Sequence, residues 1–157
     1  MTADPSLFAR IGEGALRAVV ADFYERVFRD VMIGFMFQGK DKARLVRLEW
    51  ELAAAMLGAP GVKYTGRPMR AAHAQTPIFG GQFERRLELL RQTMRDHKVD
   101  DEIQRVWIDH ALSLRAQVTR DRGSECEDTS VVGPRLAVAP PTPDPDAKIQ
   151  LGRRNRP

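Results

Sequence analysis

One histidine of this chain has a setting that suits metal ligation. His73 lies near the end of a short segment, residues 66–74, in which Pro68 suits the first position of a helix because it lacks an N–H. Thr76 precedes a proline and is therefore pushed out of the α region, which ends the segment. With Met69 one turn back, the neutral imidazole is a usable axial ligand of haem iron. A lone histidine on a short helix is more often structural or solvated. Whether His73 is a metal ligand therefore depends on the rest of the sequence.

Two charged residues interrupt apolar helix faces. Glu49 falls within the apolar stripe of residues 42–57, and Arg86 lies one turn after Phe83 and one turn before Leu90. A lone buried carboxylate is costly and tends to take up a proton, whereas a lone buried guanidinium cannot give up its charge. Each side chain therefore needs either a partner or a route to solvent.

The elements that must position these side chains are helices. Apolar residues recur at three-to-four spacing along most of the chain, and no stretch alternates strictly, so the sequence predicts an all-α fold. The predicted segments are a short helix through Leu7 and Ile11, the His73 helix, and longer helices over 15–29, 42–57, 82 to about 97, and about 101–118. Asp4 and Asp41 are the expected N-caps of two of them, and Gly80-Gly81 is expected to separate two others.

The connector over residues 30–39 is rich in large apolar side chains. A connector of this kind is expected only where it lies over a core or against a bound apolar object.

Composition limits the classes of function. The 157 residues are 43% hydrophobic and 29% charged, which suits one domain with a sizeable core. Basic and acidic residues alternate finely despite a net charge of +4, so no nucleic-acid partner is predicted. No signal peptide or bilayer-spanning stretch is evident, so no membrane partner is predicted. The single cysteine, Cys126, cannot form an internal disulfide, and a cytoplasmic location is expected.

The composition changes near Thr119. From there to Pro157 the chain has six prolines, few large apolar residues and no sustained periodicity. Such a segment cannot bury enough apolar surface to offset its ordering entropy. The sequence therefore predicts a folded domain over residues 4–119 and a Pro-rich disordered tail over residues 120–157.

In this order, the segments resemble the truncated haemoglobins, most closely their group I, over about residues 7–118. The residues that carry the resemblance are Ile11-Gly12, Phe23 to Val27 with Asp30, Phe37-Gln38-Gly39 with Asp41, Tyr64 to His73, and Phe83. Each motif is common by chance, but together and in sequence they are specific. The resemblance implies a two-over-two helical sandwich that holds haem b between its layers.

The resemblance also implies the site. The residues expected to contact haem are Phe37, Leu45, Tyr64, Met69, His73 and Phe83, with His73 as the axial ligand of the iron. The expected distal ligand pocket is formed by Tyr24, Leu45, Glu49 and Arg86, and Leu48 would also line it. Tyr24 would donate its phenolic O–H to a bound ligand. The alternative for Tyr24 and Phe37 is ordinary core packing.

Glu49 and Arg86 depart from the family pattern, which favours a glutamine and an apolar residue at these positions. Their opposite charges lie on faces that point the same way, which suggests that they pair across the distal pocket. The alternative is that both side chains reach solvent at the haem edge. His110 is expected at the edge of the core and His97 in solvent, while Trp50 should pack against a neighbouring helix.

The function that the resemblance implies is reversible binding of dioxygen, with nitric oxide as a second ligand. Nitric oxide dioxygenation would need an external reductase, since the chain has no flavin or nicotinamide motif. Two alternatives stay open: a haemless globin-like sensor or interaction module, and a peroxidase-like haem redox protein.

Overall fold

The fold consists of helices joined by short connectors. A computed structural model of the chain describes residues 6–120. Its helices are α1 (Leu7–Ile11), α2 (Glu13–Arg29), α3 (Lys42–Met56), α4 (Met69–His73), α5 (Gly80–Asp96), α6 (Asp101–Ser113) and α7 (Arg115–Val118), with a 3-10 turn at Gly34–Phe37. Within the described residues there is no strand, and the all-α prediction is confirmed. The predicted tail falls outside those residues, except for Arg120.

Short polar side chains determine where several helices begin. Asp41 caps α3 by accepting a hydrogen bond from the Arg44 N–H at 3.0 Å, as predicted. Asp100 caps α6 in the same way, at 2.9 Å from the Glu102 N–H. The cap of α1 is Ser6, whereas Asp4 lies outside the described residues.

The four long helices α2, α3, α5 and α6 form the core. Helix α2 packs against α3 and α5, and α6 packs against both α5 and α3. The buried side chains that join them include Leu16, Val19, Val20, Phe23 and Val27 of α2, Leu90 and Met94 of α5, and Ile103 and Trp107 of α6. Each such side chain contributes about 1.5–3 kcal/mol through removal from water. The predicted two-over-two sandwich is confirmed by this arrangement.

Several helix boundaries differ from the predicted ones. Gly80 lies inside the first turn of α5 rather than before it; glycine is tolerated there because first-turn N–H groups lack intrahelical acceptors. Pro68 is the N-cap of α4, not its first residue. The last predicted helix is broken at Leu114 into α6 and α7, where the Ser113 hydroxyl donates to the His110 carbonyl at 2.6 Å and competes with the helical ladder.

The connector after α2 has an inner and an outer face. Ile33 is buried, and Met36 and Phe37 are half-buried, as expected for a segment that covers an interior. Val31 and Phe35 are 93% and 60% exposed, so the prediction fails for the outer face. No helix of the described region is long and apolar enough to span a bilayer.

Candidate functional site

A cavity of about 420 Å³ opens between the helices. It is bounded by α2, the connector after α2, α3, α4, the first two turns of α5, α6 and α7. The residues predicted to contact haem or to line the distal pocket all line it: Tyr24, Phe37, Leu45, Leu48, Glu49, Tyr64, Met69, His73, Phe83 and Arg86. The structure therefore brings the predicted haem contacts and the predicted distal residues around one interior space.

His73 is fixed within α4 by its own backbone. Its Nδ1 lies 2.8 Å from the carbonyl oxygen of Met69. A carbonyl can only accept, so Nδ1 carries the proton, and in the neutral imidazole Nε2 keeps its lone pair. The five-residue helix is too short to persist alone; it packs against α7, and the Arg120 N–H donates to the Ile78 carbonyl at 2.9 Å just beyond it.

Tyr24 projects from α2 among aromatic rings and is only 5% exposed. Its ring centroid lies 5.2 Å from that of Phe23 and 6.4 Å from that of Phe37, both in edge-to-face contacts. Burial raises the pKa of Tyr24 to about 12, and the Glu49 carboxylate adds to the increase while Arg86 opposes it. The phenol is therefore a protonated donor throughout the physiological pH range.

Glu49 and Arg86 meet across the cavity. Arg86 Nη2 donates to Glu49 Oε2 at 2.8 Å, and the two side chains are 27% and 10% exposed. Burial alone would lower the pKa of Arg86, but the Glu49 carboxylate and the Tyr24 hydroxyl raise it above its ordinary value. The predicted pair is confirmed, and the alternative of two side chains reaching solvent separately is wrong.

The comparisons with known proteins agree with this geometry. The family model of the bacterial-like globins matches residues 6–120. The chain belongs to that family. The group 1 truncated haemoglobin GlbN of Mycolicibacterium paratuberculosis is 42% identical over 69 residues, which are 43% of this chain and 50% of that protein. The group 1 truncated haemoglobin of Tetrahymena thermophila is 26% identical over 104 residues, 66% of this chain and 85% of that protein.

Solved structures show the same fold. The Fe(III) form of the truncated haemoglobin from Tetrahymena pyriformis has a TM-score of 0.65 and 22% identity, with 73% of this chain and 98% of that chain covered. The truncated oxygen-avid haemoglobin from Bacillus subtilis has a TM-score of 0.64 and 26% identity, with coverage of 73% and 100%. The predicted resemblance to group I truncated haemoglobins is confirmed, and the cofactor of this globin is haem with its iron.

The cavity of this globin suits a haem. Its volume lies within the range of about 300–1,000 Å³ that is usual for small-molecule and cofactor sites. His73 offers one unprotonated imidazole nitrogen, and Phe37 and Phe83 offer apolar rings to a flat macrocycle. Arg44 and Arg67 also line the cavity. Their guanidinium groups could pair with the two carboxylates of a haem.

His110 is one of several cavity residues that the sequence did not predict. His110 is half-buried, as expected at the edge of the core, and it also lines the cavity together with Trp107 and Leu114, which was not predicted. The signal was present: His110 lies three residues after Trp107 and four before Leu114, on the same helical face.

Two other singled-out residues lie away from the cavity. His97 is exposed at the surface as predicted, and its Nε2 lies there 2.9 Å from Asp22 Oδ2. Trp50 packs against α2 as predicted, where the Arg17 guanidinium lies 4.1 Å from the centroid of its ring.

Proposed function

We propose that this globin binds dioxygen reversibly, with His73 as the axial ligand of haem iron and Tyr24 as the hydrogen-bond donor to the gas. Ferrous haem b supplies an open coordination position for a diatomic molecule. The observation that carries the proposal is the pairing of His73 Nδ1 with the Met69 carbonyl in a cavity that Tyr24 also lines. That pairing leaves one nitrogen free for the metal and fixes the imidazole tautomer.

Other cavity residues hold the cofactor in this proposal. Phe37, Leu45, Met69 and Phe83 line the cavity and would exclude water from a bound macrocycle. Tyr64 lines the same cavity, and burial raises its pKa, so it stays a neutral donor that would be available to a haem carboxylate.

Tyr24 contributes the polar interaction of the distal pocket. Its aromatic surroundings lower the local dielectric, which strengthens a hydrogen bond to a ligand that carries partial negative charge. Because its pKa is about 12, the hydroxyl does not lose its proton near neutral pH.

Nitric oxide is a second ligand in this proposal, and its dioxygenation to nitrate is a further activity. Conversion of one nitric oxide and one dioxygen to nitrate consumes one electron, which an external reductase would have to supply. Peroxidase-like chemistry is less well supported, because the Glu49 carboxylate is already engaged by Arg86. A cytoplasmic location rests on the single cysteine, which suits a reducing compartment.

Absorption spectroscopy of the purified full chain tests the proposal. After haem is added, we expect an intense Soret band, and the ferrous spectrum should change on exposure to dioxygen and return when the gas is removed. A chain that shows no Soret band after haem addition would instead be a haemless globin-like module. Haem binding without any response to dioxygen would leave the peroxidase-like role as the better account, which peroxide consumption by the ferric form measures.

A further inference from the structure

The helix that carries His73 is held in place by a segment far along the chain. Helix α4 has five residues, none of them fully buried, and among the described elements it packs chiefly against α7. A helix of that length does not persist alone, so its position is set by the groups that contact it. The elements that fix α4 therefore also fix the imidazole of His73.

Arg120, just after α7, contacts the backbone at both ends of the connector that follows α4. Its guanidinium donates to the carbonyl of Ala74, which is the C-cap of α4 and the residue directly after His73. Its own N–H donates to the Ile78 carbonyl at 2.9 Å, two residues before α5. The last carbonyls of a helix lack intrahelical donors, and a basic side chain can supply one. Arg120 thus closes the end of α4 and ties the connector to the end of α7.

Helix α7 is itself fastened to α5, which belongs to the core. The Arg115 side chain pairs with Glu84 of α5, and its Cζ lies 5.3 Å from the centroid of the Phe83 ring. At the other end of α7, Thr119 donates to the Arg115 carbonyl through its N–H at 2.8 Å and through its hydroxyl at 3.0 Å. These bonds hold the backbone that leads into Arg120. The contacts therefore run without a gap from the core to the end of α4.

We propose that Arg120 is a positioning residue for the axial ligand, and that residues 115–120 form a clamp that holds α4 beside the cavity. Leu114 and Val118 of this region line the cavity together with His73, whereas Arg120 does not line it. Arg120 therefore acts on the iron only through the placement of His73. This inference rests on the proposed function, because it assigns what holds the proposed ligand in place.

Amide hydrogen exchange of the full-length chain tests the clamp without any cofactor. The reporters are the amides of Ala72 and Thr76, which donate within α4 and at its end at 2.9 and 3.2 Å. We expect Arg120→Ala to speed their exchange about fivefold, because α4 then opens more easily, while buried amides of α2 should not change. Unchanged exchange at both reporters would overturn the proposal.

Two measurements on the haem-loaded chain test the effect on the ligand. We expect Arg120→Ala to speed the transfer of haem to an excess of a haem-free acceptor globin about fivefold, as loss of one charge-assisted hydrogen bond would. In the ferrous form, the resonance Raman band of the iron–imidazole stretch should shift or broaden, because the ring is held less uniformly. Arg120→Lys keeps a donor cation and should restore both readouts. A rate and a band identical to those of the unsubstituted chain would overturn the proposal.

Two further variants show whether the contact with α4 is the cause. Arg105→Ala removes an exposed cation of α6 and should leave both exchange and haem transfer unchanged. Arg115→Met loosens the attachment of α7 to α5 and should speed haem transfer. Combined with Arg120→Ala it should add little, because both substitutions act through one clamp. Fully additive effects, or an equal effect of the Arg105 variant, would contradict the proposal.

The exchange measurement separates the inference from the function on which it rests. Faster exchange at α4 in the Arg120→Ala variant, together with unchanged haem transfer, would overturn the positioning role, because α4 would then be clamped without effect on the ligand. Conversely, a chain that shows the expected exchange but no Soret band after haem addition would overturn only the proposed function.

Discussion

His73 Nδ1 lies 2.8 Å from the carbonyl oxygen of Met69, one turn earlier in the same five-residue helix. This contact ties the imidazole to a segment that cannot persist without tertiary support. The ring is therefore oriented by the fold before any cofactor arrives, and a replacement at this position would test the proposed ligand.

The first prediction concerns ligation by His73. His73→Gly should abolish or greatly weaken the Soret band, and added imidazole should restore it, because the free base can occupy the space of the lost side chain. Absorption spectra of the full chain measure this. His97→Ala is the matched control, since His97 pairs with Asp22 at the surface and its loss should leave the spectrum unchanged. An undiminished Soret band in the His73 variant would contradict the assignment.

The second prediction concerns the charge pair. Glu49→Arg and Arg86→Glu should each destabilise the fold by about 3–5 kcal/mol, because each leaves two like charges in a largely buried site. The combined reversal should recover much of that loss. Urea unfolding of the three variants gives the free energies. If the double variant were as unstable as the sum of the two single variants, the pair would have no energetic meaning.

The third prediction follows from the raised pKa of Tyr24. The folded chain keeps this proton up to about pH 12, whereas an unfolded tyrosine loses it near the ordinary value of about 10. The folded state therefore binds more protons between these values, and stability should fall with rising pH by up to about 1.4 kcal/mol per pH unit. Denaturation at several alkaline pH values should show a shallower decline for Tyr24→Phe. Identical slopes would mean that the pKa of Tyr24 is not raised by folding.

The fourth prediction concerns Asp30, whose side chain is 5% exposed. It accepts from Arg85 Nε and Nη2 at 2.9 and 2.7 Å and from the Met32 and Ile33 N–H groups. The Arg85 hydrogen bonds hold the pKa of Asp30 below its ordinary value. The ionised carboxylate therefore stabilises the fold fully above about pH 4, and this stabilisation is lost as the pH falls through the folded-state pKa.

Asp30→Asn should therefore cost about 1–3 kcal/mol at neutral pH and reduce the sensitivity of the fold to acid. Asp109→Asn, at an exposed position of α6, is the control and should change neither. Thermal unfolding between pH 3 and pH 7 would measure both effects. A destabilisation that is equally large at pH 3 would exclude the ionised carboxylate as its cause.

The fifth prediction concerns Gly34, which is buried where the connector turns back on α2. A Cβ at this position would lie 2.8 Å from the Phe28 carbonyl oxygen, and backbone cannot move aside cheaply. Gly34→Ala should therefore destabilise the chain by about 1–3 kcal/mol. Gly81→Ala is the control, because a Cβ there meets nothing within 4 Å and α5 should tolerate or gain from it. Equal melting temperatures for the two variants would contradict this account.

The long helices and the set of cavity residues could be predicted from the sequence, for different reasons. Three-to-four spacing sets which face of α2, α3, α5 and α6 is buried, because the helical period is fixed by backbone geometry. The cavity set came from the resemblance, and the Glu49–Arg86 pair from the physical cost of two lone buried charges. No single stretch of sequence contains the distance between those two side chains.

The features that escaped prediction depend on tertiary contacts. The break at Leu114 follows from one serine hydroxyl that competes for a helical carbonyl, which helical periodicity does not report. Val31 and Phe35 resemble Ile33 in hydrophobicity, yet only Ile33 is buried, because the direction of the connector is set by the anchoring of Asp30. His110 lies at the edge of the core as predicted, but helical spacing alone does not report that this edge borders the cavity.

The pair formed by Glu49 and Arg86 also constrains how this sequence can drift during evolution. If either residue mutates first, the chain passes through an intermediate with an uncompensated buried charge, whereas a double replacement by uncharged residues avoids that state. The two positions, 37 residues apart in the chain, are therefore expected to change together. In lineages that descend from this sequence, the acid and the base should be kept together or lost together.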